Sequence, residues 1–301
     1  MNTVFDLYDD FIPDFAEFQE SLTSPIPTHL RVNTLKADIG RVRSLLISQG
    51  FELTPSFSSD PTLLMAPAMH TPGNLLEYFL GYIHPQALTS CLASLVLRPE
   101  PDSYVLDMCA APGGKTSHMA QIMNNTGLIV ANELYGSRQV PLGHTLSRLG
   151  VMNCVITGYQ AQQFPLRTKF DYVLADVPCS GEGTFRKSTP GSRYKETREK
   201  ALLPELQKKI LSRGYLVLRK GGTLLYSTCT YNPEENEGVV SYLLSNSDAK
   251  ILPIELDLPI EPGIDQWKGN RYETELRYAA RFYPHRIDSV GFFMARISKP
   301  V

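Results

Sequence analysis

The run Tyr104-Val105-Leu106-Asp107-Met108-Cys109-Ala110-Ala111-Pro112-Gly113-Gly114-Lys115-Thr116 decides how this chain is read. Its first four residues form a short apolar strand that ends in an acid, and Lys115 to Met123 carry a helical pattern. Between them, Gly113-Gly114 lets the backbone approach a ligand, and the new helix offers unpaired N–H groups. The same unit recurs downstream. Leu128 to Glu133 is a second strand ending in an acid, with a helix to Leu149 behind it. Val155 to Thr157 is a third strand, and Phe170 to Asp176 a fourth, again ending in an acid. Pro204 to Leu218 is helical, Thr223 to Thr228 is a fifth strand, and a helix starts at Pro233. Ala280 to Tyr283 and Gly291 to Ile297 are placed to close the sheet. Strands alternating with helices through short connections predict a doubly wound, Rossmann-like α/β domain, with its ligand at the carboxyl ends of the strands. Asp107, Glu133, Asp176 and Thr228-Cys229 all fall at such ends.

Upstream the pattern differs. Phe5, Tyr8, Phe11, Phe15, Phe18 and Leu22 recur at three-to-four spacing and predict one amphipathic helix over 5–22. Leu30 to Asn33 and Phe51 to Thr54 read as strands, around a helix capped by Asp38 and running to Ile47. The stretch 55–85, rich in Pro, Ser and Gly, reads as the boundary zone. The expectation is a small N-terminal α+β domain over 1–75 and the larger domain over 76–301. A helix that follows Pro85 and runs through Leu97 opens the second.

Composition narrows the function classes. The chain has 301 residues, 43% of them hydrophobic and 20% charged, which supports packed cores and excludes a disordered chain. A net charge of −2 excludes a polycation but leaves room for a local basic groove. The five cysteines are 18 to 50 residues apart with no C-x-x-C pair, so neither a zinc knuckle nor a disulfide framework is expected, and no metal. Residues 1–20 hold six acids and no basic residue, the opposite of a secretory leader, which points to the cytoplasm. The uncharged run Tyr78 to Leu97 is broken by Gly81 and His84-Pro85-Gln86, so no membrane span is expected.

Two sites emerge. At the first, Gly-Lys-Thr suggests a phosphate-binding loop, but that motif needs a glycine where Cys109 stands, and a dinucleotide fingerprint fails on its glycine spacing. Glu133 ends the next strand 26 residues after Asp107, where an acid binds ribose hydroxyls in nucleotide folds. An adenosine ligand without a triphosphate fits, and S-adenosylmethionine is the commonest such ligand on this kind of sheet. At the second site, Asp176-Val177-Pro178-Cys179-Ser180-Gly181 and Ser227-Thr228-Cys229-Thr230 put two thiols in polar turns at neighbouring strand ends. Cys91 and Cys154 read instead as small buried hydrophobes. A thiolate adding to carbon-6 of a pyrimidine turns the ring into an enamine and makes carbon-5 nucleophilic. A free thiol is only a few per cent ionised near pH 7, so a cation such as Lys115 would help. An acid such as Asp176 would hydrogen-bond the ring nitrogen, and a second thiol would help remove the carbon-5 proton. A base treated this way must leave its stack.

With these motifs the chain resembles the Nol/Nop/Sun RNA cytosine-5 methyltransferases from about residue 28 to 298. The resemblance rests on Arg31-Val32-Asn33-Thr34-Leu35, the run from Asp107 to Thr116, both cysteine turns, Pro233-Glu234-Glu235-Asn236-Glu237, and Pro284-His285 before Gly291-Phe292-Phe293. It implies a class I methyltransferase sheet, S-adenosylmethionine as cofactor and tRNA or rRNA as substrate. It also implies Cys229 as nucleophile, Cys179 in product release, and Asp176 and Lys115 at the base and the thiol. The cofactor site would comprise Cys109, Ala110, Ala111, Pro112, Gly113, Gly114, Lys115, Glu133, Arg138, Gln160 and Asp176. Two positions depart from the family. Gly158-Tyr159-Gln160 replaces the usual acid-containing run, and Gln86-Ala87 replaces Gln-Asp or Gln-Glu. No appended RNA-binding module is expected, and the chain is expected to be a monomer.

Residues 181–220 carry eleven basic and four acidic side chains. The part from Arg186 to Lys200 leaves the Cys179 turn directly, so Arg186 and Lys187 are expected near a phosphate backbone, with Arg31 and Asn33 completing the groove. For Arg31 and Asn33 a structural hydrogen bond between domains is an equal alternative. A DNA cytosine methyltransferase would show Pro-Cys-Gln where Pro178-Cys179-Ser180 stands. A non-catalytic RNA-binding protein would have no need of both thiols, Asp176 and Lys115.

Overall fold

The computed structural model describes residues 5–187 and 200–301. The single N-terminal helix expected over 5–22 is instead a 3-10 turn at Asp6–Tyr8 and a short helix α1 (Phe15–Ser21). Pro13 stands between them, where a missing N–H and a fixed φ interrupt a helix. The aromatic stripe still buries itself, but on the C-terminal half of the chain: Phe5, Tyr8 and Phe18 pack with Tyr231, Trp267 and Tyr283.

The small unit follows. Strand β1 (Thr28–Val32) leads to α2 (Ile39–Ser48), whose Asp38 cap accepts from the Arg41 N–H at 2.9 Å. Then come β2 (Thr54–Pro55), β3 (Leu63–Ala66), α3 (Leu76–Phe79) and β4 (Ile83–Pro85). They form an antiparallel sheet of order β2-β3-β1-β4, so the small sheet continues to residue 85, past the boundary expected at 75.

The larger domain opens with α4 (Leu88–Leu97). It continues through β5 (Tyr104–Asp107), α5 (Gly114–Ile122), β6 (Leu128–Asn132), α6 (Gly136–Arg148), β7 (Cys154–Thr157), β8 (Phe170–Asp176), α7 (Leu203–Val217), β9 (Leu218–Thr228) and α8 (Glu237–Ser245). After these come β10 (Lys250–Leu252), β11 (Glu261–Pro262), the hairpin β12 (Gln266–Trp267) and β13 (Asn270–Arg271), β14 (Ala280–Phe282), α9 (Pro284–Ile287) and β15 (Phe292–Ser298). The sheet runs β11-β14-β15-β9-β8-β5-β6-β7, with β10 added on β15. Strands β5 to β9 pair in parallel, while β15 and β14 run antiparallel. Val105, Leu106, Val173, Leu174, Leu224 and Leu225 are fully buried. Each such aliphatic side chain contributes about 1.5–3 kcal/mol of transfer free energy. The strand order reverses between β5 and β8, and this is the crevice in which α/β sheets hold ligands.

Arg31 and Asn33 are not groove residues. Both are fully buried. Arg31 donates to Gln86 Oε1 at 3.2 Å, to Ser117 Oγ at 2.8 Å and to Gln121 Oε1. Asn33 Nδ2 donates to the carbonyls of Gly81 and Leu149, each at 2.8 Å. They bolt the small sheet to α5 and α6, because a buried guanidinium or amide is stable only when its donors are paired. Arg186 is also a strap. It donates to the carbonyls of Ser24 and Pro25 at 2.9 and 2.8 Å, and it pairs with Asp288 at 2.7 Å with its side chain 5% exposed. That burial removes it from an open phosphate-binding face. The side chains of Lys187 and Lys200, together with Arg193, Lys195 and Arg198, lie outside the described residues.

Candidate active site

At the carboxyl edge of β5, β8 and β9 a cavity of about 400 Å³ is lined by Cys109, Ala110, Ala111, Pro112, Gly114, Lys115, Asp176 and Cys229, with His84, Gln86, Thr184 and Phe292 around its rim. Topology accounts for the grouping. Asp176 pairs in register with Ser227, and Thr228 with Phe293, so the turns after β8 and β9 emerge side by side.

The thiols meet there. Cys179 Sγ lies 3.3 Å from Cys229 Sγ, and the Cys229 N–H points at Cys179 Sγ from 3.4 Å. The Cys179 thiol donating to Cys229 is the largest influence on Cys229 and lowers its pKa. Lys115 lowers it further, while burial and Asp176 oppose the shift. The same contact, with burial, holds Cys179 well above the ordinary thiol range. Burial raises the other three thiols, Cys91 and Cys154 to about 12. Of the five cysteines, Cys229 is the one whose pKa is lowered, the direction that favours a thiolate.

Lys115 Nζ pairs with Asp176 Oδ2 at 2.8 Å and sits over the Phe292 ring at 5.2 Å. Burial works against its charge, but Asp176 outweighs that cost and keeps the ammonium above its usual range. The other Asp176 oxygen accepts from Ser227 Oγ at 2.7 Å, so the carboxylate is oriented from two sides.

Residues that the sequence reading missed hold the turns. Buried Gln207 donates to the Pro178 carbonyl at 2.8 Å and to Glu235 Oε2 at 2.9 Å; Glu235 also accepts from the Ser180 N–H at 2.9 Å. Asn236 Nδ2 donates to the Thr230 carbonyl at 2.9 Å. Glu235 and Asn236 were visible as part of a motif; Gln207 carried no signal beyond a helical position. His84 accepts at Nδ1 from Arg148 at 3.0 Å, and burial first, then Arg31 and Arg148, lowers its pKa to about 3. With Nδ1 accepting from Arg148, the neutral ring carries its proton on Nε2, and His84 lines the cavity rim.

The glycine loop behaves as its composition demands. Gly113 has φ +103°, which favours glycine, and a Cβ there would press on Leu142 Cδ1 at 3.0 Å. Glu133 is 3% exposed and ends just beyond β6. It accepts from the Tyr135 N–H at 3.1 Å and pairs with Arg138 at 3.3 Å, and Arg138 donates to the Ala111 carbonyl at 3.0 Å. Glu133 and Arg138 thus flank the loop 109–112. Gln160 is exposed, and its side-chain oxygen is taken by Gln162 at 2.9 Å. The position is held by Asn132, which bonds both the N–H and the carbonyl of Tyr159 at 2.9 Å.

Asp107 is buried beneath the cavity. Thr116 Oγ1 donates to its Oδ2 at 2.7 Å, while Oδ1 has no partner among the described residues. Burial is the main cause that pushes its pKa up to about 7. The folded state then holds this proton more tightly than the unfolded chain. Its stabilising contribution is complete below about pH 4 and is lost as pH rises through about 7. Asp107→Asn should therefore gain on the wild type by on the order of 3 kcal/mol between pH 4 and pH 8 in denaturant titrations. Parallel stability curves would place the proton elsewhere.

Comparison with known proteins agrees with this geometry. Residues 94–298 match the family model described as 16S rRNA methyltransferase RsmB/F. A tRNA (cytosine(49)-C(5))-methyltransferase of Pyrococcus abyssi is 37% identical over 96% of this chain and 93% of its own length. A human 28S rRNA (cytosine(4447)-C(5))-methyltransferase is also 37% identical, but the chain spans only 36% of that protein. A solved structure, a methyltransferase homolog protein from Pyrococcus horikoshii, superposes with a TM-score of 0.85 at 33% identity, covering 98% of this chain and 93% of that one. The class I methyltransferase sheet, the paired thiols at its carboxyl edge and these matches lead to one assignment: the chain belongs to the RsmB/F family of RNA methyltransferases, within the Nol/Nop/Sun group.

Proposed function

We propose that this chain transfers a methyl group from S-adenosylmethionine to carbon-5 of a cytosine in tRNA or rRNA, through a covalent adduct at Cys229. The observation that carries the reading is the Cys179–Cys229 contact at 3.3 Å, which lowers the Cys229 thiol at the mouth of the cavity. The cytosine-C5 specificity in the relatives' names supports the choice of atom.

The cavity fits such a cofactor in size, since small-molecule sites run from roughly 300 to 1,000 Å³. It also fits in chemistry. Gly114 opens α5 without a side chain between the backbone and the cavity, the loop 109–112 lines it, and Glu133 reaches that loop through Arg138, which donates to the Ala111 carbonyl. The loop 109–115 would hold the methionine and sulfonium end, and Glu133 with Arg138 the ribose. When bound, the cofactor supplies an electrophilic methyl group. The protein's part is to make carbon-5 a nucleophile. Cys229 thiolate adds to carbon-6 of a flipped-out cytosine, a proton held between the Asp176 carboxyl and the ring nitrogen moves toward the electron density that nitrogen gains, and Lys115 keeps the thiolate and the Asp176 carboxyl in place. After carbon-5 has accepted the methyl, Cys179 assists removal of the carbon-5 proton, and the Cys229–carbon bond breaks to restore the aromatic ring.

Labelled-methyl transfer to bulk RNA, followed by bisulfite-type mapping, tests the reading. Label at carbon-5 of cytosines, absent with Cys229→Ala, is expected. Label on another atom, or transfer that survives Cys229→Ala, overturns it. Glu133→Ala should weaken cofactor binding by roughly ten- to a hundredfold in calorimetric titration, the loss of one or two charge-assisted hydrogen bonds. Unchanged affinity would remove Glu133 from the site.

A further inference from the structure

Three residues after Cys179, the Glu182 carboxylate is buried at 6% exposure and gathers three donors from two other parts of the chain. Its Oε2 accepts from Thr230 Oγ1 at 3.0 Å and from the Tyr231 N–H at 3.3 Å, both in the turn that follows Cys229. The Tyr8 hydroxyl, 174 residues away in sequence, lies 3.0 Å from both carboxylate oxygens. Backbone bonds reinforce the closure. The Gly183 N–H donates to the Cys229 carbonyl at 2.9 Å, and the Gly183 carbonyl accepts from Gly291 N–H at 2.9 Å. A Cβ on Gly183 would sit 2.2 Å from the Gly291 carbonyl oxygen, so only glycine permits the approach. Ser180 Oγ and Thr230 Oγ1 are 2.7 Å apart. The N-terminal segment packs on this turn from outside, Phe5 edge-on against Phe185 at 5.3 Å, and Tyr8 is itself held by the tilted ring of Trp267 at 5.6 Å.

We infer that Glu182 is a positioning residue for the thiol pair, clasping the Cys179 turn to the Cys229 turn, and that Tyr8 of the N-terminal segment is its latch. The two sulfurs come from separate strands, and no covalent bond sets their separation. Their contact depends on how tightly the two turns are held together, and Glu182 carries the side-chain link that reaches into the second turn and out to the N-terminus. A buried carboxylate without those donors is costly, so the link closes only with all three partners in place. The inference deepens the thiol chemistry proposed above and rests on it.

The test reads Cys229 directly. The full chain, without RNA or cofactor, is alkylated with iodoacetamide across a pH series, and modification is assigned cysteine by cysteine by peptide mass spectrometry. Cys229 is faced by Cys179 after β8, by Asp176 at the end of β8, by Lys115 on α5 and by Tyr231 in its own turn, with Glu235 near Cys179. None of these is altered in the variants. Glu182→Ala and Tyr8→Phe should raise the midpoint of Cys229 alkylation, slowing it at pH 7 about three- to tenfold, since one unit is tenfold in thiolate. Glu182→Gln should recover most of the wild-type profile, because its amide oxygen still accepts from Thr230 and Tyr231. If Glu182→Ala does not fold, Tyr8→Phe carries the test. A lowered melting temperature with an unchanged Cys229 midpoint would make the cluster structural only and overturn the inference. The readout needs no methyl transfer: a chain inactive on RNA that still shows the shift would sink the proposed function and keep the clasp, and an active chain without the shift would do the reverse.

Discussion

Replacing Cys179 with alanine is expected to trap RNA on the protein. In the proposed mechanism Cys229 adds to carbon-6 before the methyl group moves, and Cys179 acts afterwards. In Cys179→Ala the adduct should form, gain its methyl group and fail to resolve, leaving a band that survives denaturing electrophoresis. Cys229→Ala should form no such band and transfer no methyl, and the wild type should show little of it. The structure adds a second consequence. Cys179 is the hydrogen-bond donor that does most to lower the Cys229 thiol, so its loss should also slow adduct formation at pH 7. Trapping should therefore strengthen as pH is raised toward the ordinary thiol range of about 8.5. A purely structural Cys179 predicts a less stable protein with no trapped RNA. Trapping by Cys229→Ala instead would exchange the two roles.

Asp176→Asn is expected to separate thiol ionisation from catalysis. Asp176 is an anion beside Cys229 and opposes its ionisation, while Lys115 favours it. Removing the Asp176 charge should lower the Cys229 midpoint and speed its alkylation at pH 7. Turnover should nevertheless fall by about 10²–10⁴, the usual contribution of a positioned acid–base group. Lys115→Met removes the cation and should raise the Cys229 midpoint and slow turnover together. The sign difference between the two variants is the measurement. If both change alkylation in the same direction, the charges of the 2.8 Å pair do not set the Cys229 thiol, and its separate roles at base and thiol are wrong.

The alternation of apolar strands with helices identified β5, β6 and β8 to within a residue, because buried parallel strands read as short apolar runs and each is stopped by a polar turn. Asp107, Asp176 and Cys229 were legible for the same reason: the end of a strand is a local property. Gly113 was legible because its positive φ is required by the turn itself. Helix 5–22 was over-read. Its aromatic spacing is real, but Pro13 breaks the helix and the rings cover Tyr231 and Trp267 instead of closing a local face. The boundary at 75 was read too early, because β4 shows no strand signal apart from its pairing with β1.

Sequence alone thus determined the strand order's raw material, the glycine loop, the candidate thiols and the family, all of which depend on residues within a few positions of one another. It left Arg31 and Asn33 evenly divided between groove and bolt, and tertiary structure decided for the bolt by burying both against α5 and the ends of α3 and α6. It placed Arg186 at an RNA face, and the structure turned that side chain onto Ser24, Pro25 and Asp288. The sequence put Cys179 and Cys229 at neighbouring strand ends, but their 3.3 Å contact, and the pairing of Glu182 with Tyr8 across 174 residues, came from the fold. Such contacts depend on which strands the chain lays side by side and which loops cross over them, and a side chain's partner at that range leaves no periodicity in its own neighbourhood to read.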